Sequence, residues 1–336
     1  MNNSIIFEEY EETGIIKLNR PKALNALNLE MTELFFQQLK KWEKEIKIKR
    51  VLLIGEGKAF CAGGDIKAMF FSSGISNLKK KFLFNEYKLN YLISKFSKQY
   101  LSIWDGIVMG GGVGLSIYGD RRIVTENSIF AMPETAIGFF PDVGASYFLS
   151  RMPNNIGLYL GLTGKIIRSE EMLSLGLATH FCYSKNIEEL KRNYINNGVL
   201  TTIDKIEKKE SELLNNFDFI KETFVGDIFS IMKSLEKSQS EFGKKTFDNL
   251  LKRCPMSLAI TVELYNKAKK LSLKECLEME FQLSQHVVYR EDFNKGVESV
   301  LITKTNNPIW NPISINDISY HELEKLFQNH TERLSL

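Results

Sequence analysis

Apolar residues recur along this chain with two different periods, and each period predicts a different kind of element. Residues 5–18 form two runs of alternating apolar and polar positions around Glu12-Thr13-Gly14, which predicts a β-hairpin. From Asn28 to about Ile46 the apolar positions follow helical spacing, and Asn28 is placed to cap that helix. Short apolar runs predict further strands at residues 51–54, 100–103, 121–125 and 129–131.

Strands alternate with helices over about residues 1–180, whereas the pattern beyond Gly144 is helical to the end of the chain. This order predicts an α/β layered core over residues 1–185, followed by a helical region over residues 186–336. The stretch from Lys185 to Lys245 is rich in Lys, Glu and Asn, which is typical of solvated amphipathic helices. No linker rich in Pro, Gly or Ser separates the two regions.

The composition excludes several functional classes. The 336 residues include 44 Lys and Arg against 41 Asp and Glu, and the net charge of +3 predicts no non-specific affinity for nucleic acid or membranes. The sequence has no apolar run of the length that a transmembrane helix requires. Its four cysteines form no CxxC pair, so we expect free thiols and no metal site. A cytoplasmic location is expected, or an organellar one if a cleaved targeting segment is missing from this sequence.

Two glycine-rich segments each follow a predicted strand, Gly63-Gly64 in the first and Gly110 to Gly114 in the second. Glycines at such places leave backbone N–H groups open to a ligand. Neither segment matches a phosphate loop or a dinucleotide fingerprint. Taken alone, the first favours a plain strand-to-helix connection, and the second fits tight packing as well as it fits ligand contact. Together, each could supply one N–H to a shared oxyanion hole.

Two carboxylates, Glu134 and Asp142, stand in a stretch that is otherwise apolar or small. A carboxyl group in apolar surroundings tends to have a raised pKa and can act as an acid or a base. Each of them also follows a proline, and proline-carboxylate pairs often only begin helices. On the residues alone, two exposed loop carboxylates are therefore slightly favoured over a catalytic pair.

In this order, the segments resemble the crotonase (enoyl-CoA hydratase/isomerase) superfamily, and within it most of all the 3-hydroxyisobutyryl-CoA hydrolases. The resemblance is carried by residues 18–27, 109–116, 130–149, 162–181, 272–284 and 292–304. It implies an α/β fold, a crotonase-type spiral of repeated ββα units with a helical C-terminal region that covers the active site. It also implies an acyl-CoA ligand, with no cofactor besides the coenzyme A of the substrate.

The resemblance assigns roles to individual residues of this chain. The backbone amides of Gly64 and Gly111 would form the oxyanion hole for the thioester oxygen. Glu134 and Asp142 would be the catalytic acids. The remaining substrate-binding residues that it implies are Glu86, Ala62 beside the adenine, and Arg20 and Lys22 at the coenzyme A phosphates.

One comparison within the superfamily separates the possible reactions. Hydratases use two glutamates, of which the first would fall at Gly114 and the second at Glu134, and they usually carry glycine where this chain has Asp142. The pair of Glu134 and Asp142 is the hydrolase pattern. It predicts hydrolysis of a short-chain 3-hydroxyacyl-CoA, above all 3-hydroxyisobutyryl-CoA in valine catabolism. Glu134 could be the nucleophile or the general base.

Two alternatives to hydrolysis stay open, an enoyl-CoA hydratase or isomerase and a non-catalytic binding protein of this fold. The expected partners are the acyl-CoA substrate and, as in the superfamily, further copies of the chain. One departure from the resemblance is Glu298, which stands where relatives commonly carry a basic residue. It lies far from the motifs that carry the reaction.

Overall fold

A computed structural model describes residues 3–72, 77–207, 210–328 and 332–336. Within these ranges the chain forms two compact units, each built from three separate segments. The first unit comprises Met1–Asp65, Asn85–Ala131 and Ile166–Ser211, and the second comprises Ile66–Phe84, Met132–Lys165 and Glu212–Leu336. Because the units interleave along the chain, neither coincides with residues 1–185 or 186–336. The covering role of the helical region stays a prediction.

The first unit holds two sheets. The strands are β1 Ile5–Tyr10, β2 Thr13–Leu18, β3 Arg50–Gly55, β4 Ala59–Cys61, β5 Gln99–Trp104, β6 Ile107–Met109, β7 Arg121–Val124, β8 Ile129–Ala131, β9 Ile167–Arg168 and β10 His180–Phe181. One sheet has the order β1-β2-β3-β5-β7-β10 and the other β4-β6-β8-β9. All neighbours are parallel except the pairs β1–β2 and β8–β9. The short apolar runs of the sequence form the inner, parallel strands, as expected for buried β-structure.

Helices fill the rest of both units. Their bounds are α1 Leu29–Lys44, α2 Ile66–Phe71, α3 Leu78–Lys95, α4 Gly111–Gly114, α5 Ala145–Leu149, α6 Ile156–Thr163, α7 Ser169–Ser174, α8 Ile187–Asn197, α9 Glu212–Asn215, α10 Phe217–Thr223, α11 Ile228–Glu236, α12 Glu241–Leu250, α13 Pro255–Ala268, α14 Leu273–Val287, α15 Glu291–Val297 and α16 Tyr320–Gln328. The predicted helical C-terminal region is confirmed. In the described ranges, none of the helices combines the length and apolar character that a membrane crossing needs.

The predicted hairpin and its following helix are present, with shifted ends. Tyr10 pairs with Thr13, so the turn consists of Glu11 and Glu12, and Glu11 adopts the positive φ of 49° that a tight hairpin turn favours. The Asn28 side chain caps α1 by accepting a hydrogen bond from the Met31 amide at 2.8 Å.

Helix α1 ends at Lys44, so the predicted end near Ile46 was wrong. The Lys98 ammonium group donates to the carbonyl oxygens of Trp42 and Glu45, which satisfies the acceptors of the last turn. Ile46 lies past this end and is 85% exposed.

The expectation of helix throughout the region beyond Gly144 was also wrong, because β9 and β10 lie there. Ile167 pairs with Phe130 of β8, and His180 pairs with Ile123 of β7. Each strand contains only two residues, which is too short to leave an alternating pattern in the sequence. They form because existing sheet edges offer unpaired backbone groups.

Candidate active site

The two glycine segments lie side by side in the first unit. Strands β4 and β6 are parallel neighbours, so the loops that follow them leave the same edge of the sheet. A Cβ atom built on Gly111 would stand 3.2 Å from the Gly64 amide nitrogen, and one built on Gly63 would stand 3.6 Å from the Gly111 amide nitrogen. Within the described residues, neither the Gly64 nor the Gly111 N–H donates a hydrogen bond to another backbone group. Two adjacent amides are thus available to one acceptor.

The backbone around Gly64 is fixed by its neighbours in the chain. The Leu27 amide donates to the Gly63 carbonyl oxygen at 2.8 Å, and the Asp65 amide donates to the Leu27 carbonyl oxygen at 2.7 Å. These two bonds form an isolated parallel bridge on either side of Gly64. The bridge holds the Gly64 amide in place without using its hydrogen, which is the preorganisation that an oxyanion hole requires.

Glu86 occupies the space beside Gly111. It lies on α3 and is only 2% exposed, and its Oε1 atom would be 2.2 Å from a Cβ atom on Gly111. A side chain at position 111 would therefore collide with the carboxylate, so glycine is needed there for close approach. One helical turn later, Asn90 is fully buried, and its amide atoms have no hydrogen-bond partner among the described residues. Sequence reasoning did not single out Asn90, because a polar residue on a long helix is usually exposed.

Two of the residues assigned to coenzyme A binding, Arg20 and Ala62, make hydrogen bonds at the first glycine segment. The Arg20 guanidinium group donates to Asp65 Oδ2 at 2.8 Å and to the Ala26 carbonyl oxygen at 2.6 Å. The Arg20 side chain is 24% exposed. Its ion pair with Asp65 balances part of the positive charge that was expected to bind a coenzyme A phosphate. Lys22 is exposed, and Ala62 is half-buried, with its amide bonded to the Leu24 carbonyl oxygen. Their contacts with coenzyme A stay predictions.

The two candidate catalytic acids are both buried in the second unit. Glu134 begins a short 3₁₀ turn after Pro133 and is 7% exposed, and Asp142 is 6% exposed. The interpretation as exposed loop carboxylates is therefore wrong, although the proline does precede a helical turn. Burial raises the pKa of Glu134 well above its ordinary value, and the charge of Asp142 raises it further. Glu134 Oε2 has no hydrogen-bond partner among the described residues.

A third buried acid, Glu280 on α14, lies close to Asp142, and sequence reasoning missed it. Glu280 is fully buried and accepts hydrogen bonds from the backbone amides of Gly144 and Ser146 and from the Ser146 hydroxyl group. Burial raises the pKa of Glu280 to about 8, with a further contribution from the Asp142 charge. The signal available in the sequence was helical spacing, which places Glu280 on the same face of α14 as Cys276, Leu277 and Leu283.

The remaining candidates carry no separate chemistry. Cys61 is buried beside the first glycine segment, and burial raises the pKa of its thiol to about 12, so it is not a nucleophile. In the part of the chain that the structure describes, no three His, Cys, Asp or Glu side chains are grouped to hold a metal ion. The chemically distinctive groups are thus the paired amides of the first unit and the buried acids of the second.

Comparisons with known proteins find related sequences and a related structure. A family profile described as Enoyl-CoA hydratase/isomerase matches residues 13–327. The chain is 39% identical to the protein named 3-hydroxyisobutyryl-CoA hydrolase, mitochondrial, of Danio rerio, over 98% of this chain and 91% of the relative. The protein of the same name from Xenopus laevis is 40% identical over 94% of this chain and 86% of the relative. A crystal structure titled carnitinyl-CoA dehydratase, from Mycobacterium thermoresistibile, superposes with a TM-score of 0.94 at 33% identity and covers 99% of both chains.

Proposed function

Because this chain belongs to the enoyl-CoA hydratase/isomerase family, we propose that it hydrolyses a short-chain 3-hydroxyacyl-CoA thioester, namely 3-hydroxyisobutyryl-CoA, to 3-hydroxyisobutyrate and coenzyme A. The observation that carries this proposal is the burial of the acids Glu134 and Asp142 in a chain that has glycine at position 114. The curated relatives named as hydrolases of this thioester support it over nearly the whole length of the chain.

In the proposed mechanism, the amides of Gly64 and Gly111 bind the thioester oxygen and stabilise the negative charge that develops on it. Removing one such donor typically lowers the rate about 100- to 1000-fold. The two amides lie next to each other, and neither is used by another backbone group of the described chain. This arrangement supports their assignment to one oxygen.

Glu134 supplies the base or the nucleophile of the proposed reaction. In its ionised form, the carboxylate either attacks the thioester carbon or removes a proton from the attacking water. One water is consumed, the carbon–sulfur bond breaks, and the thiolate leaves with a proton as free coenzyme A. Asp142 orients the substrate hydroxyl group or the water. The mechanism requires these acids and the two amides to act on the same thioester.

Hydration or dehydration is the second candidate, because the crystal structure with 33% identity is titled a carnitinyl-CoA dehydratase. Within the family resemblance, the first glutamate of the hydratases corresponds to Gly114, which has no side chain to donate or accept a proton. An addition of water across a double bond needs an acid and a base on the two carbons. This chain supplies only Glu134 of that pair, which favours hydrolysis.

The test is a thiol-release assay with a panel of 3-hydroxyisobutyryl-CoA, 3-hydroxypropionyl-CoA, acetyl-CoA and crotonyl-CoA. We expect rapid thiol release from the hydroxyacyl thioesters and no loss of the conjugated absorbance of crotonyl-CoA. Glu134→Gln should lower kcat about 100- to 10,000-fold, which is the usual contribution of a general base. Absence of thiol release from every member of the panel would reject hydrolysis and favour a binding protein, whereas hydration of crotonyl-CoA would favour the second candidate.

Labelled water separates the two roles of Glu134. Label in the Glu134 side chain after a single turnover in ¹⁸O-water would establish that this residue attacks the carbon, because water can cleave the resulting anhydride at the glutamyl carbonyl. If Glu134 acts as a base, the label should appear only in the released acid. The ¹⁸O content of the peptide that contains Glu134 is measured by mass spectrometry after trypsin digestion.

Location and assembly are proposed separately from the reaction. Both curated relatives carry the word mitochondrial in their names, which supports an organellar location over the cytoplasmic one expected from the sequence. Subcellular fractionation tests this. Homo-oligomer formation stays a prediction, to be tested by light scattering of the purified protein.

A further inference from the structure

The acid Glu280 is attached to the segment that carries Asp142, although 136 residues separate it from Gly144 along the chain. Glu280 Oε2 accepts a hydrogen bond from the Gly144 amide at 2.6 Å. Its Oε1 accepts from the Ser146 amide at 2.9 Å and from the Ser146 hydroxyl group at 2.5 Å. All of these residues belong to the second unit. Both oxygens of one buried carboxyl group thus hold two residues, Gly144 and Ser146, on either side of Ala145.

The held segment adopts an unfavourable backbone conformation immediately after Asp142. Val143 has a φ of 56° and Gly144 a φ of 81°, so two successive residues lie in the left-handed region. A β-branched residue in this region is uncommon, and such a conformation costs about 1–3 kcal/mol. The conformation persists only where the surroundings enforce it. The Glu280 carboxyl group bonds to Gly144, the second of these two residues, and to Ser146.

We propose that Glu280 is a positioning residue of the hydrolysis, which fixes the turn of residues 142–146 and thereby the orientation of the Asp142 carboxylate. This inference rests on the proposed function. It follows from the geometry that a group with two acceptor oxygens is required at position 280, because each oxygen of the carboxyl group faces a backbone N–H donor. A glutamine would direct its NH₂ group at one of those donors, and the turn would lose at least one of its two backbone bonds.

The test compares matched variants in the thiol-release assay with 3-hydroxyisobutyryl-CoA. Glu280→Gln should lower kcat about 10- to 100-fold, since misplacement of a catalytic group by about 1 Å has a cost of this order. KM should change less than threefold. Ser146→Ala should lower kcat less than Glu280→Gln does, because both backbone bonds to Glu280 remain. Glu278→Gln, the same chemical change at a partly exposed site on α14, is the control and should keep the wild-type kcat.

A double-mutant cycle separates positioning from a general structural role. If Glu280 acts through Asp142, the double variant Asp142→Asn with Glu280→Gln should be no slower than Asp142→Asn alone, within about threefold. If the two losses multiply, Glu280 does not act through Asp142 and the inference is overturned. Thermal unfolding of each variant establishes that the compared proteins are folded. Glu280→Asp keeps the carboxyl group but withdraws its oxygens by one methylene group. It replaces Glu280→Gln in the cycle if the latter does not fold.

Amide hydrogen exchange provides a readout that does not depend on the reaction. In Glu280→Gln, the amides of Gly144 and Ser146 should exchange at least about tenfold faster than in the wild type, because their acceptor is lost or weakened. Unchanged exchange at both amides would overturn the positioning role. Absence of thiol release from the wild-type protein would reject the proposed function. The exchange rates of the Gly144 and Ser146 amides would then still test whether Glu280 fixes the turn.

Discussion

Replacement of Glu134 by glutamine should stabilise this protein while it removes the activity. The carboxyl group is 7% exposed, its Oε2 atom has no hydrogen-bond partner among the described residues, and the charge of Asp142 acts on it. Burial and Asp142 both raise its pKa in the folded state above the value in the unfolded chain. Glutamine has nearly the same shape and no charge. The substitution therefore removes an unfavourable ionisation and leaves the packing unchanged.

The size of the effect follows from proton linkage. A group with a raised folded-state pKa contributes its full stability below the unfolded pKa of about 4.3, and this contribution is lost as the pH rises through the folded pKa. Between the two pKa values, the folded state holds a proton that the unfolded state has released. The free energy of unfolding then falls by up to about 1.4 kcal/mol for each pH unit relative to the glutamine variant.

The assay is thermal unfolding of the wild type and Glu134→Gln at pH 5, 6, 7 and 8. A change of 1 kcal/mol shifts Tm by about 2–4 °C in a domain of 150–250 residues. We expect the variant and the wild type to unfold at similar temperatures near pH 5. The advantage of the variant should then grow by up to about 3–6 °C per pH unit until the folded pKa is passed.

A Tm difference that stays constant from pH 5 to pH 8 would refute the reasoning, because it would mean that the pKa of Glu134 is the same in both states. A variant less stable than the wild type at pH 8 would refute it as well. The activity readout is independent of both results. If Glu134→Gln kept half of the wild-type kcat, Glu134 would have no catalytic role, whatever the effect of the substitution on stability.

Three further predictions concern other parts of the chain. Gly111→Ala should lower kcat about 100- to 1000-fold in the thiol-release assay, because its Cβ would lie 2.2 Å from Glu86 Oε1 and would crowd the oxyanion amides; a variant with wild-type kcat would remove Gly111 from the site. Asn28→Ala should lower the free energy of unfolding by about 1 kcal/mol, because the Met31 amide loses the side chain that caps it. Denaturant unfolding measures this loss, and kcat should stay unchanged. Lys22→Ala should raise KM for acyl-CoA several-fold with little change in kcat or Tm, because this lysine is exposed; unchanged KM at low salt would end its assignment to a phosphate.

Local features of the fold could be predicted from the sequence because their causes lie within a few residues. The hairpin of β1 and β2, the cap of α1 and the inner strands all follow from alternation, helical spacing or a capping side chain. The resemblance to the crotonase superfamily added the long-range architecture, the oxyanion glycines and the acids. Even so, α1 ends two residues before the predicted position, and the bonds of Lys98 to carbonyl oxygens at this end join residues more than fifty positions apart.

The active-site environment could not be predicted in the same way. Glu134 and Asp142 read as exposed carboxylates on the residues alone, and only the folded structure shows that both are buried. The contact of Glu280 with Gly144 left no trace that a local pattern could detect. The pairing of Arg20 with Asp65 was equally hidden, because it joins two loops from different parts of the chain.

The sequence by itself determined which residues of this protein prefer strand, helix or turn, and which rare combinations of glycine and acid are available for chemistry. The tertiary structure alone decided which of those acids are buried away from solvent and which amides lie next to each other. It also decided which distant carboxyl group bonds to the turn after Asp142. The physical reason is that periodicity and capping act over one or two turns of backbone. Desolvation and hydrogen bonding between distant segments depend instead on what the rest of the chain brings within a few ångströms.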